Sequence, residues 1–332
     1  MHNFKRIFVA AGVSTLALGT VFGSAPVYAE TLLEVAFNQP ESHPQFKAMQ
    51  KFGEAMAERT NGEYKVEVFP NELLGAQKEA VEMTQTGTIA MSLAAASLLE
   101  SWNPDFVVFN LPYMFDDIAQ QQKVVNDPAI VGDLYHSVED QGIIVAAAFH
   151  GGVRNVYRKS GPVEKPADLA GDKVRVMQSD TNIEMLNLMG GNGIAMGQGE
   201  VYTAIQTGVL DGGENNEIVF SSLKHSEVAP YYSYTQHLMM PDYLIINSEI
   251  YNNMPDDVKV IFNEELLKAV DYEYESFAES VAQAKIDAEA SGAKFNQVDL
   301  QAFRDAVKPL TEKKLTSDVT KKIYKQIHGA AE

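Results

Sequence analysis

Residues 256–290 read DDVKVIFNEELLKAVDYEYESFAESVAQAKIDAEA. No Gly or Pro interrupts them, Asp256 and Asp257 stand where a helix N-terminus favours acids, and Gly292 supplies a stop. Thirty-five residues of α-helix would reach roughly 50 Å. That is longer than one small lobe, so the segment is expected to run as a beam across two, with the chain crossing between them more than once.

Upstream, strand-like and helix-like stretches alternate, the mark of an α/β layer. Thr31 to Phe37 reads as a buried strand, and Ser42 with Gln45 suggests a capping box opening a helix that runs to Thr60 and stops at Asn61-Gly62. Tyr64 to Phe69 alternates as a second strand, Gly75 opens a helix to Thr86, and Ile89 to Ala96 is a further apolar run. The pattern returns with Ile143–Phe149, Val153–Arg158 and Lys173–Met177 as strands. Helices at Asn182–Met189 and Glu200–Thr207 follow, and then a short strand at Val209–Asp211.

The first residues point to export. Lys5 and Arg6 precede an uncharged apolar stretch from Ile7 to Thr20, and Val27-Tyr28-Ala29 satisfies the small-x-small rule for cleavage before Glu30. We therefore take residues 1–29 as a signal peptide. The apolar stretch is shorter than the ~20 residues of a spanning helix, and no later segment is long and uncharged enough to be one. The chain has no cysteine, which excludes disulfides and a lipidated cysteine at the cleavage point. These features suggest a soluble protein of the periplasm without a membrane anchor of its own.

The formal charge is -19, and loss of Lys5 and Arg6 with the leader takes it to -21. A field of that sign repels nucleic acid and anionic lipid. Against it, the segment from Arg154 to Val176 carries Arg154, Arg158, Lys159, Lys165, Lys173 and Arg175 with only Glu164, Asp168 and Asp172. A local inversion of the global field is what an anion site in an acidic protein requires. Arg175, among apolar neighbours in Lys173-Val174-Arg175-Val176, either pairs with a structural carboxylate or offers a planar fork to a ligand carboxylate. Arg154 follows Gly151-Gly152, where backbone can approach a ligand closely, whereas Arg158, Arg59 and Arg304 read as surface charges. Asn215, in the turn-rich run from Gly208 to Asn216, would project at the carboxyl end of a strand, where α/β layers bind ligands. Gly191 to Gly197 loosely imitates a nucleotide fingerprint, but it follows a helix rather than a strand. No histidine pair has metal-binding spacing and no serine sits in a nucleophile elbow, so neither metal nor cofactor is expected.

Five blocks in order carry a family resemblance: Phe69-Pro70-Asn71 with Leu74-Gly75; Val108 to Phe115; Asp168-Leu169 with Gly171 and Lys173 to Val176; Glu200-Val201-Tyr202 with Ala204 to Gly208; and Asp211-Gly212 with Glu214-Asn215. Over nearly all of the chain beyond the leader, this resembles the DctP-type extracytoplasmic receptors of tripartite ATP-independent periplasmic (TRAP) transporters. The resemblance implies a two-lobed α/β receptor that closes over a small organic acid and hands it to membrane permease subunits, as a monomer and without catalysis. It implies lobe I at 30–151 plus 241–280 and lobe II at 152–240 plus 281–332. The carboxylate-gripping arginine falls on Arg175, the second arginine on Arg154 and the cleft asparagine on Asn215, while Asn38 and Gln77 match cleft-lining positions.

Two departures bear on the ligand. Gly197-Gln198-Gly199 stands where the family often has Pro-Phe, and Asn216 replaces a usual proline. A cleft richer in amides is similar to the branch associated with uronates such as glucuronate and galacturonate. C4-dicarboxylates or other hydroxy and keto acids are the alternative. A periplasmic sugar-acid enzyme, drawing on Glu41, Glu79, Asp211, Glu214 or Glu217, and a sensor's ligand-binding subunit are the rivals from other classes.

Overall fold

A computed structural model describes residues 30–329; the expected signal peptide, residues 1–29, lies outside the described residues. The strands are β1 Thr31–Ala36, β2 Tyr64–Phe69, β3 Met91–Ala95, β4 Ile143–His150, β5 Arg154–Arg158, β6 Lys173–Val176, β7 Asn192–Ala195, β8 Gly212–Asn215, β9 Tyr231–Leu238, β10 Pro241–Asn247 and β11 Lys294–Asn296. The helices are α1 Pro44–Arg59, α2 Gln77–Gln85, α3 Ile118–Val125, α4 Pro128–His136, α5 Asp180–Leu188, α6 Val201–Gln206, α7 Glu217–Ser222, α8 His225–Val228, α9 Ser248–Asn252, α10 Asp256–Ala290, α11 Leu300–Lys314 and α12 Asp318–His328.

Two sheets form, one per lobe. The first runs β2-β1-β3-β10-β4 and the second β11-β9-β5-β8-β6-β7. In each, consecutive strands linked through a helix pair in parallel, β1 with β2 and β6 with β7, because a helical crossover returns the chain in the same direction. The antiparallel members are the strands on which the chain changes lobe. β10 inserts between β3 and β4 after the chain has built most of the second sheet, and β5 pairs antiparallel with β8 and β9.

Two of the crossings lie side by side. One leaves β4 through Gly151-Gly152 into β5, and the other leaves β9 through Met239-Met240 into β10. The glycines are required by this proximity. A Cβ on Gly151 would lie 2.6 Å from the Met240 carbonyl oxygen, and Gly152 has φ +81° with the Asn216 side chain packed where its Cβ would be.

The helix α10 is the third crossing. Phe262, Leu266, Ala269, Val270 and Tyr274 join the core beneath the first sheet, where Phe262 meets Phe52 of α1 edge to face at 5.2 Å. Such a pair contributes about 0.5–1.5 kcal/mol beyond its buried area. Further along, Phe277 and Ala284 pack with Ile218, and Ala288 joins Tyr157, Phe220 and Tyr232 of the second lobe. At the change of lobe, the fully buried Glu273 accepts the His150 backbone N–H at 3.0 Å, tying the beam to the end of β4.

Several expectations need correction. The N-cap of α1 is His43, whose Nδ1 accepts the Gln45 amide N–H, rather than Ser42. The Gln45 side chain is drawn inward instead, donating to the His150 carbonyl at 3.1 Å and to Asp242 at 2.9 Å. The strand expected at Val209–Asp211 begins at Gly212, where β8 is held between β5 and β6. Arg158 is a buried tie rather than a surface charge, donating to Asp172 at 2.7 Å and to the Gly161 and Pro162 carbonyls at 2.8 and 2.9 Å. At the C-terminal end, α11 packs on α5 and β9 of the second lobe, but α12 packs on α4 and on the 3-10 turn Pro104–Asn110 of the first. Ile323 and Ile327 of α12 are buried in an apolar cluster that draws on both lobes.

Candidate functional site

The six expected residues Asn38, Gln77, Arg154, Arg175, Gln198 and Asn215 line one narrow cavity between the lobes. An adjoining compartment shares Asn38, Gln77, Arg175 and Gln198 and adds Glu72 and Gln178. Asn38 lies just beyond the carboxyl end of β1, and Asn215 ends β8, so strand ends from both sheets supply the wall. Gln77 is the first residue of α2.

Arg175 projects from β6 and is buried at 5% exposure. Its Nε donates to the Met196 carbonyl at 2.9 Å, and among the described residues it makes no salt bridge and no further protein hydrogen bond. Burial pushes its guanidinium below the usual arginine range, an effect the Glu214 charge offsets only in part. A charge removed from water without a contacting counterion favours an anion that enters with it.

Arg154 is equally buried but differently engaged. Its Nε donates to Glu214 Oε2 at 2.5 Å, Nη2 to Glu214 Oε1 and to the Glu214 carbonyl at 2.8 Å each, and Nη1 to Asn215 Oδ1 at 3.1 Å. Burial alone would lower this guanidinium too, but the Glu214 charge and hydrogen bond outweigh it and hold Arg154 above its ordinary value. Burial likewise works to raise the Glu214 carboxyl, and Arg154 with His237 holds it at about 2 instead. The structural ion pair that was one reading of Arg175 is thus found on Arg154. Its fork is taken by Glu214, and only Nη1 is turned toward the asparagine of the cavity wall.

Asn215 Oδ1 accepts from Arg154 and from the Asn216 backbone N–H at 2.9 Å, while its Nδ2 makes no protein hydrogen bond among the described residues. Across the cleft, Asn38 Nδ2 and Gln39 Nε2 both donate to Gln198 Oε1 at 3.2 Å, so the lobes meet through three amides. Gln198 Nε2 and Gln39 Oε1 are buried without a protein partner. A buried amide half-satisfied in this way suits a ligand that both donates and accepts.

Sequence reading missed Gln39, Glu72 and Asp242 on the wall. Gln39 was within reach as the neighbour of Asn38. Glu72 depends on two successive left-handed residues, and Asp242 on the return of β10, and neither has a local sequence signal. Of the carboxylates considered for catalysis, Glu214 is committed to Arg154 and Asp211 accepts the Lys173 backbone N–H at 2.8 Å. A more spacious groove runs beside α10 past Lys47, Lys224, Glu227 and Asp287, each of them exposed, so the narrower cleft is the candidate site.

Two α/β lobes between which the chain crosses repeatedly, with a buried arginine that makes no salt bridge among the described residues in a cleft lined by several amides, define a binding protein for small organic anions. The bacterial extracellular solute-binding protein family 7 model matches residues 35–318, and the chain belongs to that family. Its members are receptors that bind small organic acids and work with a membrane permease. A TRAP periplasmic solute-binding protein from Anaerococcus prevotii, solved with bound D-glucuronate, is 35% identical with a TM-score of 0.86, covering 91% of this chain and 100% of its own. Another from Sulfitobacter, with bound β-D-galacturonate, is 29% identical with a TM-score of 0.85, covering 90% and 100%. The 2,3-diketo-L-gulonate-binding periplasmic protein YiaO of Escherichia coli is 30% identical over 288 residues, covering 86% of this chain and 87% of that one. Among the described residues no helix is long and apolar enough to cross a membrane.

Proposed function

We propose that this protein is the exported periplasmic receptor of a TRAP transporter and binds a uronate, with D-glucuronate and D-galacturonate as the leading ligands. Arg175 grips the carboxylate, with Asn215 Nδ2 and Arg154 Nη1 beside it, while Gln198, Asn38, Gln39 and Gln77 read the hydroxyls. The observation that carries the reading is Arg175 itself, a buried guanidinium whose terminal nitrogens find no acceptor among the described residues, in a cavity that also presents the amides of Asn38, Gln39, Gln77, Gln198 and Asn215. A carboxylate in that place gains charge-assisted hydrogen bonds of about 1.5–3 kcal/mol each. Hydroxyls, each donor and acceptor, suit amides whose second group is free. The uronates bound by the relatives from Anaerococcus and Sulfitobacter support the same chemistry.

A ligand held by Arg175 on one lobe and Asn38 on the other stabilises the closed arrangement of the lobes. Release to the permease follows from opening, with the ligand chemically unchanged, and the receptor works as a soluble monomer. Calorimetric titration with D-glucuronate, D-galacturonate and succinate tests the reading. Saturable binding of a uronate, recovered unaltered, is the expected result. Binding of succinate alone, or conversion of the uronate, would overturn it.

A further inference from the structure

We propose that Glu72 sets the charge selectivity of the cleft, admitting ligands with one carboxylate and turning away those with two; this rests on the uronate reading. Glu72 lines the same compartment as Arg175, Gln77 and Gln198, and its side chain is half-buried there. Its placement is built rather than incidental. Asn71 and Glu72 both adopt the left-handed region, at φ 57° and 58°, a conformation that costs a non-glycine residue and is rare for two in succession. Hydrogen bonds hold the turn there: Asn71 N–H donates to the Gln39 carbonyl at 3.0 Å, Glu72 N–H to the Phe37 carbonyl at 3.1 Å, and Gly75 N–H to the Glu72 carbonyl at 2.9 Å. The turn delivers the carboxylate across the cleft against Gly199 of the other lobe. There a Cβ would stand 2.7 Å from Glu72 Oε2, so the carboxylate lies close against the Gly199 backbone.

The charges around the cavity explain the consequence. Arg154 is matched by Glu214, so Arg175 is the one buried cation on the wall without a contacting carboxylate among the described residues. Glu72 and Asp242 are the carboxylates that share these walls with it. A first ligand carboxylate is matched by Arg175, but a second would meet no cation on these walls and would face the half-buried Glu72. Like charges there repel far more strongly than in solvent. A hydroxyl at the same place instead donates to the Glu72 carboxylate. Burial raises the Glu72 carboxyl, but Arg175 and the Gly199 amide work against that rise. The same Glu72 that discourages a diacid therefore favours a polyhydroxylated monoacid.

The test compares D-glucuronate with D-glucarate, which replaces the aldehyde carbon by a second carboxylate at the same chain length. Calorimetry at pH 7.5 on the full chain and on Glu72→Gln and Glu72→Asn measures both affinities, with melting curves for all three proteins. Asparagine tolerates the left-handed backbone, so Glu72→Asn keeps the experiment decisive if glutamine disturbs the turn. The natural protein should prefer glucuronate by at least a hundredfold. Each folded variant should narrow that preference at least tenfold through tighter binding of glucarate. If the natural protein binds glucuronate and both variants keep its full preference, Glu72 has no selective role and the uronate reading stands. If the folded natural protein binds neither D-glucuronate nor D-galacturonate, the uronate reading falls, and this inference with it.

Discussion

Arg154 and Arg175 lie on β5 and β6 of one sheet, are both almost fully buried, and do opposite things. Arg154 has its fork filled by Glu214, and its charge is held above the usual arginine range. Arg175 spends one N–H on a carbonyl and is held below that range. The difference lies in what burial has been matched with. A buried cation that brings its own counterion is an internal strut, and one that does not creates affinity for an anion. β8 connects the two, because Glu214 and Asn215 follow each other on one strand, and Asn215 accepts from Arg154 at the cavity wall.

Separating stability from affinity is the way to break this comparison. The largest effect is expected from Arg154→Ala, which leaves Glu214 buried without its partner and should lower stability by about 3–5 kcal/mol in urea denaturation. A loss below about 1 kcal/mol would make Arg154 a ligand group rather than a strut. Arg175→Ala should do the converse, weakening uronate binding by about 2–5 kcal/mol in calorimetry while stability changes little. Equal damage to both properties would erase the distinction.

Acid sharpens it further. The Glu214 carboxyl is held at about 2 in the fold against 4.5 as the ordinary value, so the unfolded chain takes up its proton first. The stabilisation is complete above pH 4.5 and is lost as the pH falls toward about 2, to a total on the order of 3 kcal/mol. Urea titrations from pH 6 downward should show this loss in the natural protein, and the added slope should be missing in Glu214→Gln. The smallest effect is expected at Gln198→Ala. It removes the acceptor for Asn38 and Gln39 and should cost ligand binding about 0.5–1.5 kcal/mol, read as a faster off-rate.

The helix α10 was fully legible in sequence, from Asp256 to Ala290, because absence of Gly and Pro, an acidic start and a glycine stop are local properties. β1, β2, β4 and β6 were legible for the same kind of reason. β9 and β10 passed unread although Tyr231 to Leu238 is rich in aromatic and β-branched residues, as strand propensity is only a weak signal without a partner in view. The start of α1 was misread because Ser42 and Gln45 have capping-box spacing. Gln45 instead serves the buried His150 carbonyl and Asp242, groups that approach it only after β4 and β10 pair. β7 lay hidden under Gly191 to Gly197, whose glycines resemble a loop until β6 offers its edge.

The sequence by itself determined the α/β class, the long beam across two lobes, the family, and the cluster of residues from which the candidate anion site is drawn. Composition, periodicity and motif spacing are properties of neighbours along the chain, and those survive without coordinates. Only the tertiary structure decided that Arg154 is the strut and Arg175 the open cation, that Gln39 and Gln198 face each other, and that Glu72 reaches Gly199. Each of these depends on which groups burial brings within a hydrogen bond's length across 60 to 160 residues of chain. Counterions are matched by proximity in space, and spacing in sequence does not encode it.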